Sequence, residues 1–139
     1  MHLLEVPKGF CEPGRNGRNR SEIVVLIKSC VRCQQDRAEA RRTYMQPHLW
    51  GDFRIRFVFV TGMPSVGYTG NMHFDGVSVK YHSHGNDKKD YEHAKRELFS
   101  EANHFGDLLI GDFEDHYFSL TMKQTFIFRW ISVFCAHES

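Results

Sequence analysis

Two hydrophobic rhythms alternate along this chain. Glu22 to Lys28 (Glu-Ile-Val-Val-Leu-Ile-Lys) is a short β-branched run with almost no polar break. A run of that length predicts a strand covered on both faces, as in a parallel sheet. Gln34 to Met45 follows with helix-forming residues and a weak apolar face, which predicts a polar helix. Arg54 to Thr61 predicts a second strand, ended by Gly62-Met63-Pro64. From Asp90 to Phe105 the period changes: Tyr91, Ala94, Leu98, Ala102 and Phe105 recur at helical spacing, with Gly106 as a C-terminal stop. Leu108 to Gly111 predicts a third strand. Ser119 is placed to cap a last helix running to about Cys135, apolar on two sides and so expected to be buried.

The order strand–helix–strand–helix–strand–helix predicts an α/β domain built on a parallel, Rossmann-like sheet with right-handed crossovers. Two segments stand outside this rhythm. Residues 1–21 are punctuated by Pro7, Gly9, Pro13, Gly14 and Gly17 and predict a disordered or linker tail. Residues from about 63 to 87 carry Gly67, Gly70, Gly76 and Gly85 among polar residues and predict a mobile, exposed loop. Residues 22–139 are left as the folded unit.

At 139 residues the chain is one domain at most. Apolar residues at 41% and charged residues at 25% exclude wholesale disorder. A net charge of +1 gives no general case for nucleic-acid binding. No apolar run reaches the ~18 residues of a membrane span, and Met1 to Glu5 lacks the pattern of a signal peptide. The four cysteines, Cys11, Cys30, Cys33 and Cys135, are too few for a disulfide scaffold and leave their pairing open. Asn19-Arg20-Ser21 is a potential glycosylation acceptor. Basic residues crowd the early chain, and a phosphate-facing role is plausible only from Lys28 to Arg42.

Phe105 to Lys123 reads Phe-Gly-Asp-Leu-Leu-Ile-Gly-Asp-Phe-Glu-Asp-His-Tyr-Phe-Ser-Leu-Thr-Met-Lys. It resembles the Tyr-Gly-Asp-Ile-(Leu/Ile)-Gln-x-Asp-Phe-x-Asp-x-Tyr-x-Asn-Leu-Thr-x-Lys segment of the β-1,3-galactosyltransferase family. Glu101, Gly106, Asp107, Asp112, Phe113, Asp115, Tyr117, Leu120, Thr121 and Lys123 match, with Ser119 standing where the family often has Asn. Trp130 and Cys135 also fall at family-like positions. Asp36 to Tyr44 similarly resembles the family's Arg-Arg-x-Ala-Ile-Arg-x-Thr-Trp, with Arg37, Arg41 and Thr43 matching and Asp36, Ala40 and Tyr44 departing. The resemblance covers about Ile23 to Cys135, and by comparison with the family the segment near 63–87 is an insertion.

The resemblance implies the front, nucleotide-side part of a GT-A type glycosyltransferase domain. It implies transfer of galactose or N-acetylglucosamine from a UDP-sugar to a glycan acceptor, with a Golgi location and a Mn²⁺ ion in the complete enzyme. The family's metal-holding Asp-x-Asp occurs nowhere in these 139 residues. Asp112-Phe113-Glu114 imitates it but aligns with the upstream motif. No catalytic or metal residue is therefore assigned, and this polypeptide alone is expected to be inactive and to bind no metal.

The expected nucleotide-sugar contacts are Lys28 and Ser29 at the end of the first strand, Arg37 and Arg41 on the first helix, and Asp112 and Lys123 in the second motif. In an open α/β sheet, ligands bind at the carboxyl ends of the strands. Arginines four apart share a helix face, and their planar forks suit phosphate oxygens. The plainer reading is that these arginines solvate an exposed helix and pair with Asp36 or Glu39. Lys123 near a helix start needs a counter-anion, and Asp112, Asp115 or a phosphate could supply it; a structural pair with an Asp is favoured.

Three other readings are weighed against this one. The chain could be a non-catalytic remnant, or a binding module that needs a partner. Cys30-Val31-Arg32-Cys33 between strand and helix has the context of a thioredoxin-like redox pair, although the usual aromatic and Pro neighbours are missing. His73, His82, His84 and His93 could in principle join a cysteine on zinc, but a solvated His-rich loop is the expected state.

Overall fold

The computed structural model describes residues 2–7, 22–65, 69–82, 88–116 and 119–134. Its centre is a four-stranded sheet of β1 (Leu3–Glu5), β2 (Glu22–Lys28), β3 (Arg54–Met63) and β6 (Leu108–Glu114) in the order β1-β6-β3-β2. Strands β2, β3 and β6 are mutually parallel, and β1 joins the edge of β6 antiparallel. The helices are α1 (Gln34–Arg42), α2 (Lys88–Phe105) and α3 (Leu120–Phe134), with a single 3₁₀ turn at Pro47–Trp50. The expected α/β fold, with a parallel-dominated sheet and flanking helices, is what forms.

Period-two alternation along β3 and β6 creates two cores. On one face Val58, Val60, Leu109 and Phe113 pack with Phe126, Ile127 and Trp130 of α3. On the other, Phe59, Leu108 and Ile110 pack with Ala40 of α1 and Leu98 and Ala102 of α2. The sheet is thus sandwiched, with α1 and α2 on one side and α3 on the other. Gly106 adopts a φ of 66°, and its N–H donates to the Ala102 carbonyl at 2.9 Å, so α2 ends where its glycine predicts.

Three expectations need correction. The N-terminal segment is not wholly a tail: Leu3–Glu5 is a strand, and Leu3 packs against the α3-side core. Unpaired N–H and C=O groups on the edge of β6 offer a ladder that even three residues can use. The rest of the supposed tail, residues 8–21, lies outside the described residues.

The second correction concerns the region from 63 to 87. It carries a β-hairpin, β4 (Thr69–Phe74) and β5 (Val77–His82), paired from Thr69↔His82 to Phe74↔Val77. Its turn is Asp75-Gly76, with φ of 50° and 81°. Asp-Gly is a strong two-residue hairpin signal, and the alternation of Val77 and Val79 with Ser78 and Lys80 is a strand period. The abundance of glycine around them masks both signals. The hairpin's exposure is as expected, with Val77 and Val79 more than half exposed.

The third correction concerns α3. It buries Phe126, Ile127 and Trp130 but exposes Leu120, Met122, Phe128 and Ile131. Its buried side packs on β3 and β6 of the sheet. No helix among them is long and apolar enough to cross a membrane.

Gly62 shows how tightly β3 meets β6. A Cβ there would collide with the Phe113 carbonyl oxygen and two of its ring carbons. Because one obstacle is backbone, rotamer change cannot relieve it. Gly62→Ala is expected to destabilise the fold by about 1–3 kcal/mol in urea denaturation. Gly76→Ala, in open space but at positive φ, is expected to raise amide exchange in β4 and β5 alone.

Candidate functional site

Strand β2 ends at Lys28, and the chain turns through Ser29–Cys33 into α1. This corner lies at the carboxyl ends of the parallel strands, where α/β sheets bind ligands. Its geometry is fixed by two buried cations, Arg37 and Lys123.

Arg37 is 1% exposed. Nε and Nη2 donate to the two carboxylate oxygens of Glu101, both at 2.7 Å. Nη1 donates to Ser29 Oγ at 2.9 Å and to the Cys30 carbonyl at 2.5 Å, and Nη2 also reaches the Val31 carbonyl at 3.1 Å. A guanidinium has five N–H groups, and these five bonds use them all. Lys123, also buried, forms an ion pair with Asp115 at 2.6 Å and donates to the Ser29 carbonyl at 2.9 Å. Asp115 in turn accepts from the Val31 N–H at 3.1 Å. The carbonyls of residues 29, 30 and 31 therefore all end on buried cations.

Arg41 continues the network outward. Nε and Nη2 clamp both oxygens of Asp107 at 2.8 Å, and Nη2 reaches Glu101 at 3.0 Å. The guanidinium lies 3.8 Å from the Phe105 ring centroid and 5.1 Å from that of Phe59, close enough for cation–π attraction. Burial opposes the Arg41 charge, but Asp107 and then Glu101 outweigh it and raise its pKa. Burial likewise pushes the Glu101 carboxyl up, and the bonds and charges of Arg37 and Arg41 overcome it, holding the group below the ordinary 4.5.

This arrangement redistributes the expected contacts. Arg37 and Arg41 do share a helix face, but that face is turned inward, onto Glu101 and Asp107. The anions it meets are these two carboxylates, and it is not solvated beside Asp36 and Glu39. Arg37 has no donor left for a phosphate. Lys123 is similarly committed, and the Asp pair favoured from its sequence position is the one that forms. The Ser29 hydroxyl accepts from Arg37. Asp112 serves the sheet edge: its Oδ1 accepts the His2 N–H at 2.6 Å, and its own N–H donates to the His2 carbonyl. Lys28 remains exposed at the end of β2. Asn19 lies outside the described residues.

Glu101 matches the family pattern in sequence, but only the fold gives it a role. A signal is present: it is a carboxylate inside the apolar stripe of α2, between Leu98 and Ala102. A buried acid in that position needs a buried cation. Among the described residues, no group of three His, Cys, Asp or Glu side chains is disposed to hold a metal ion. His73 is exposed on β4, and His93 faces Glu97 on α2 at 3.2 Å. Cys30 and Cys33 are joined in a disulfide across the corner.

Two comparisons with known proteins bear on this fold and its corner. Residues 83–139 match the family model described as Galactosyltransferase. The chain is also 24% identical, over 116 residues, to a human protein named UDP-GlcNAc:betaGal beta-1,3-N-acetylglucosaminyltransferase 9. That alignment takes in 84% of this chain but 26% of the relative, so the chain spans about a quarter of the relative's length. Both comparisons support the resemblance to the β-1,3-galactosyltransferase family seen in the motifs.

Glu101→Gln should be strongly destabilising, by about 3–5 kcal/mol in urea denaturation, because it leaves buried Arg37 without its counter-charge. A pH dependence follows from the depressed Glu101 carboxyl. Its stabilisation is fully present above the ordinary carboxylate range and is lost as pH falls through the lower, folded-state value. The urea midpoint should therefore drop on acidification below about pH 4.5, with a shallower drop in Glu101→Gln.

Proposed function

We propose that this chain forms the nucleotide side of a β-1,3-hexosyltransferase domain, which moves N-acetylglucosamine or galactose from a UDP-sugar onto a glycan acceptor. The observation that carries the reading is the interlock of two motifs far apart in sequence. Arg37 and Arg41 of the first motif pair with Glu101 and Asp107 of the second, and Asp115 and Lys123 of the second pin the backbone of residues 29–31. The degraded first motif is thereby tied to the segment that matches the family. The name of the human relative supports UDP-N-acetylglucosamine as donor and a β-galactoside as acceptor. A Golgi location belongs to the same reading.

In this role the buried cations do not touch the donor. They hold the β2–α1 corner rigid, so that its exposed surface keeps one shape against the ligand. Preorganisation of that kind reduces the ordering cost of binding. Lys28, exposed at the mouth of the corner, is the cation from the expected set that remains directed to solvent and is assigned to the diphosphate. When bound in such enzymes, Mn²⁺ supplies charge neutralisation for the leaving diphosphate. The residues described here do not fit that ion: the 139-residue sequence has no Asp-x-Asp, and Asp112 is engaged by His2. No step is assigned to metal in this polypeptide, which on this reading binds donor nucleotide without transferring sugar.

Titration of the ¹⁵N-labelled chain with UDP and UDP-N-acetylglucosamine tests the assignment. Amide shifts are expected across residues 28–33, with binding weakened about tenfold in Lys28→Ala, the effect of losing a charged hydrogen bond. Shifts confined to the β4–β5 hairpin, or equal affinity in the variant, would overturn it.

A further inference from the structure

The Cys30–Cys33 bond spans only three positions. A cross-link over so short a loop removes little freedom from the unfolded chain. The folded corner does not depend on it either, since Arg37 anchors the carbonyls of Cys30 and Val31, and Lys123 and Asp115 anchor Ser29 and Val31. As a structural brace the bond is redundant. It can open while the corner keeps its shape.

The two sulfurs are not equivalent. Cys30 is exposed, whereas Cys33 is half-buried and stands at the N-cap of α1 with no side-chain capping bond. Helix α1 has nine residues, and the free N–H groups at its start favour negative charge. A cleft of about 300 Å³ opens beside the corner, bordered by Val31, Arg32 and Gln34 on one side and by Asp90, His93 and Glu97 of α2 on the other. It gives a small molecule access to the loop between the cysteines.

We propose that Cys30–Cys33 is an exchange-competent disulfide that reacts with small thiols in the folded state, Cys30 being the sulfur attacked and Cys33 the leaving thiolate. An incoming thiolate bonds to Cys30 Sγ as the Cys30–Cys33 bond breaks, and the electron pair leaves on Cys33 Sγ at the helix start. A second thiolate then attacks the added sulfur, releasing Cys30 as a thiolate and forming the small-molecule disulfide. Two thiols are oxidised, and the protein disulfide, the oxidant, takes up two electrons. The site is a stoichiometric acceptor of reducing equivalents rather than a redox catalyst. It lies in the corner assigned to the nucleotide but does not depend on that assignment.

The test is reaction of the full chain, without denaturant, with glutathione, followed by rapid alkylation with N-ethylmaleimide and peptide mapping. Far-UV circular dichroism before the quench monitors the fold. The expected product carries glutathione on Cys30 and maleimide on Cys33, in about fivefold or greater excess over the reverse pattern. Circular dichroism should be unchanged. Glutathione on Cys33, an even mixture, or exchange only after the dichroism signal is lost would each overturn the proposal.

Discussion

A guanidinium with every N–H satisfied inside a protein is an unusual commitment of charge, and the fold is organised around one. Arg37 enters from α1 and meets Glu101 from α2 in a two-bond fork, then spends its remaining donors on the loop that leads out of β2. Burying such a pair gains little over an apolar core, because desolvation cancels much of the attraction. Its consequence is geometric. Five directional bonds fix the two helices and the strand end relative to one another more tightly than apolar packing would.

Lys123 and Asp115 do the same from the opposite face of the sheet. A cation near the start of α3 opposes the helix dipole, so its position makes sense only with the Asp115 carboxylate beside it. Both ion pairs converge on residues 29–31, one from the α1–α2 layer and one from the α3 layer. The loop at the strand ends is thus clamped from both sides. The apolar cores supply the bulk of the stability by burial, while the ion pairs determine the shape of the corner.

Arg41 is a half-way case. It is held by Asp107 and Glu101 and stacked on Phe105, yet it is more exposed than Arg37. Its contacts tie the end of α2 and the start of β6 to α1. The residues that look most like ligand contacts from their charge are thus the scaffold of the corner, and the exposed Lys28 and the disulfide-bridged loop are what the corner presents to solvent.

Much of the fold is legible in the amino-acid sequence. The β-branched run at Glu22–Lys28, the helical period of Tyr91 to Phe105 and the glycine after it each specify an element through local sterics and burial alone. The Asp75-Gly76 turn is equally local, though the glycines around it mask its signal. The site is less legible. Sequence establishes that Arg37, Arg41, Glu101, Asp107, Asp115 and Lys123 belong to paired motifs, because residue type and spacing are one-dimensional properties. Whether an arginine faces a phosphate or a carboxylate depends on which way its helix is rolled against the sheet. That rotation is set by Ala40, Phe59, Leu98 and Ile110 packing in one core. The addition of Leu3–Glu5 to the far edge of β6 likewise depends on contacts between residues more than 100 positions apart. Pairings across such separations leave no local pattern, so only the tertiary structure could decide them.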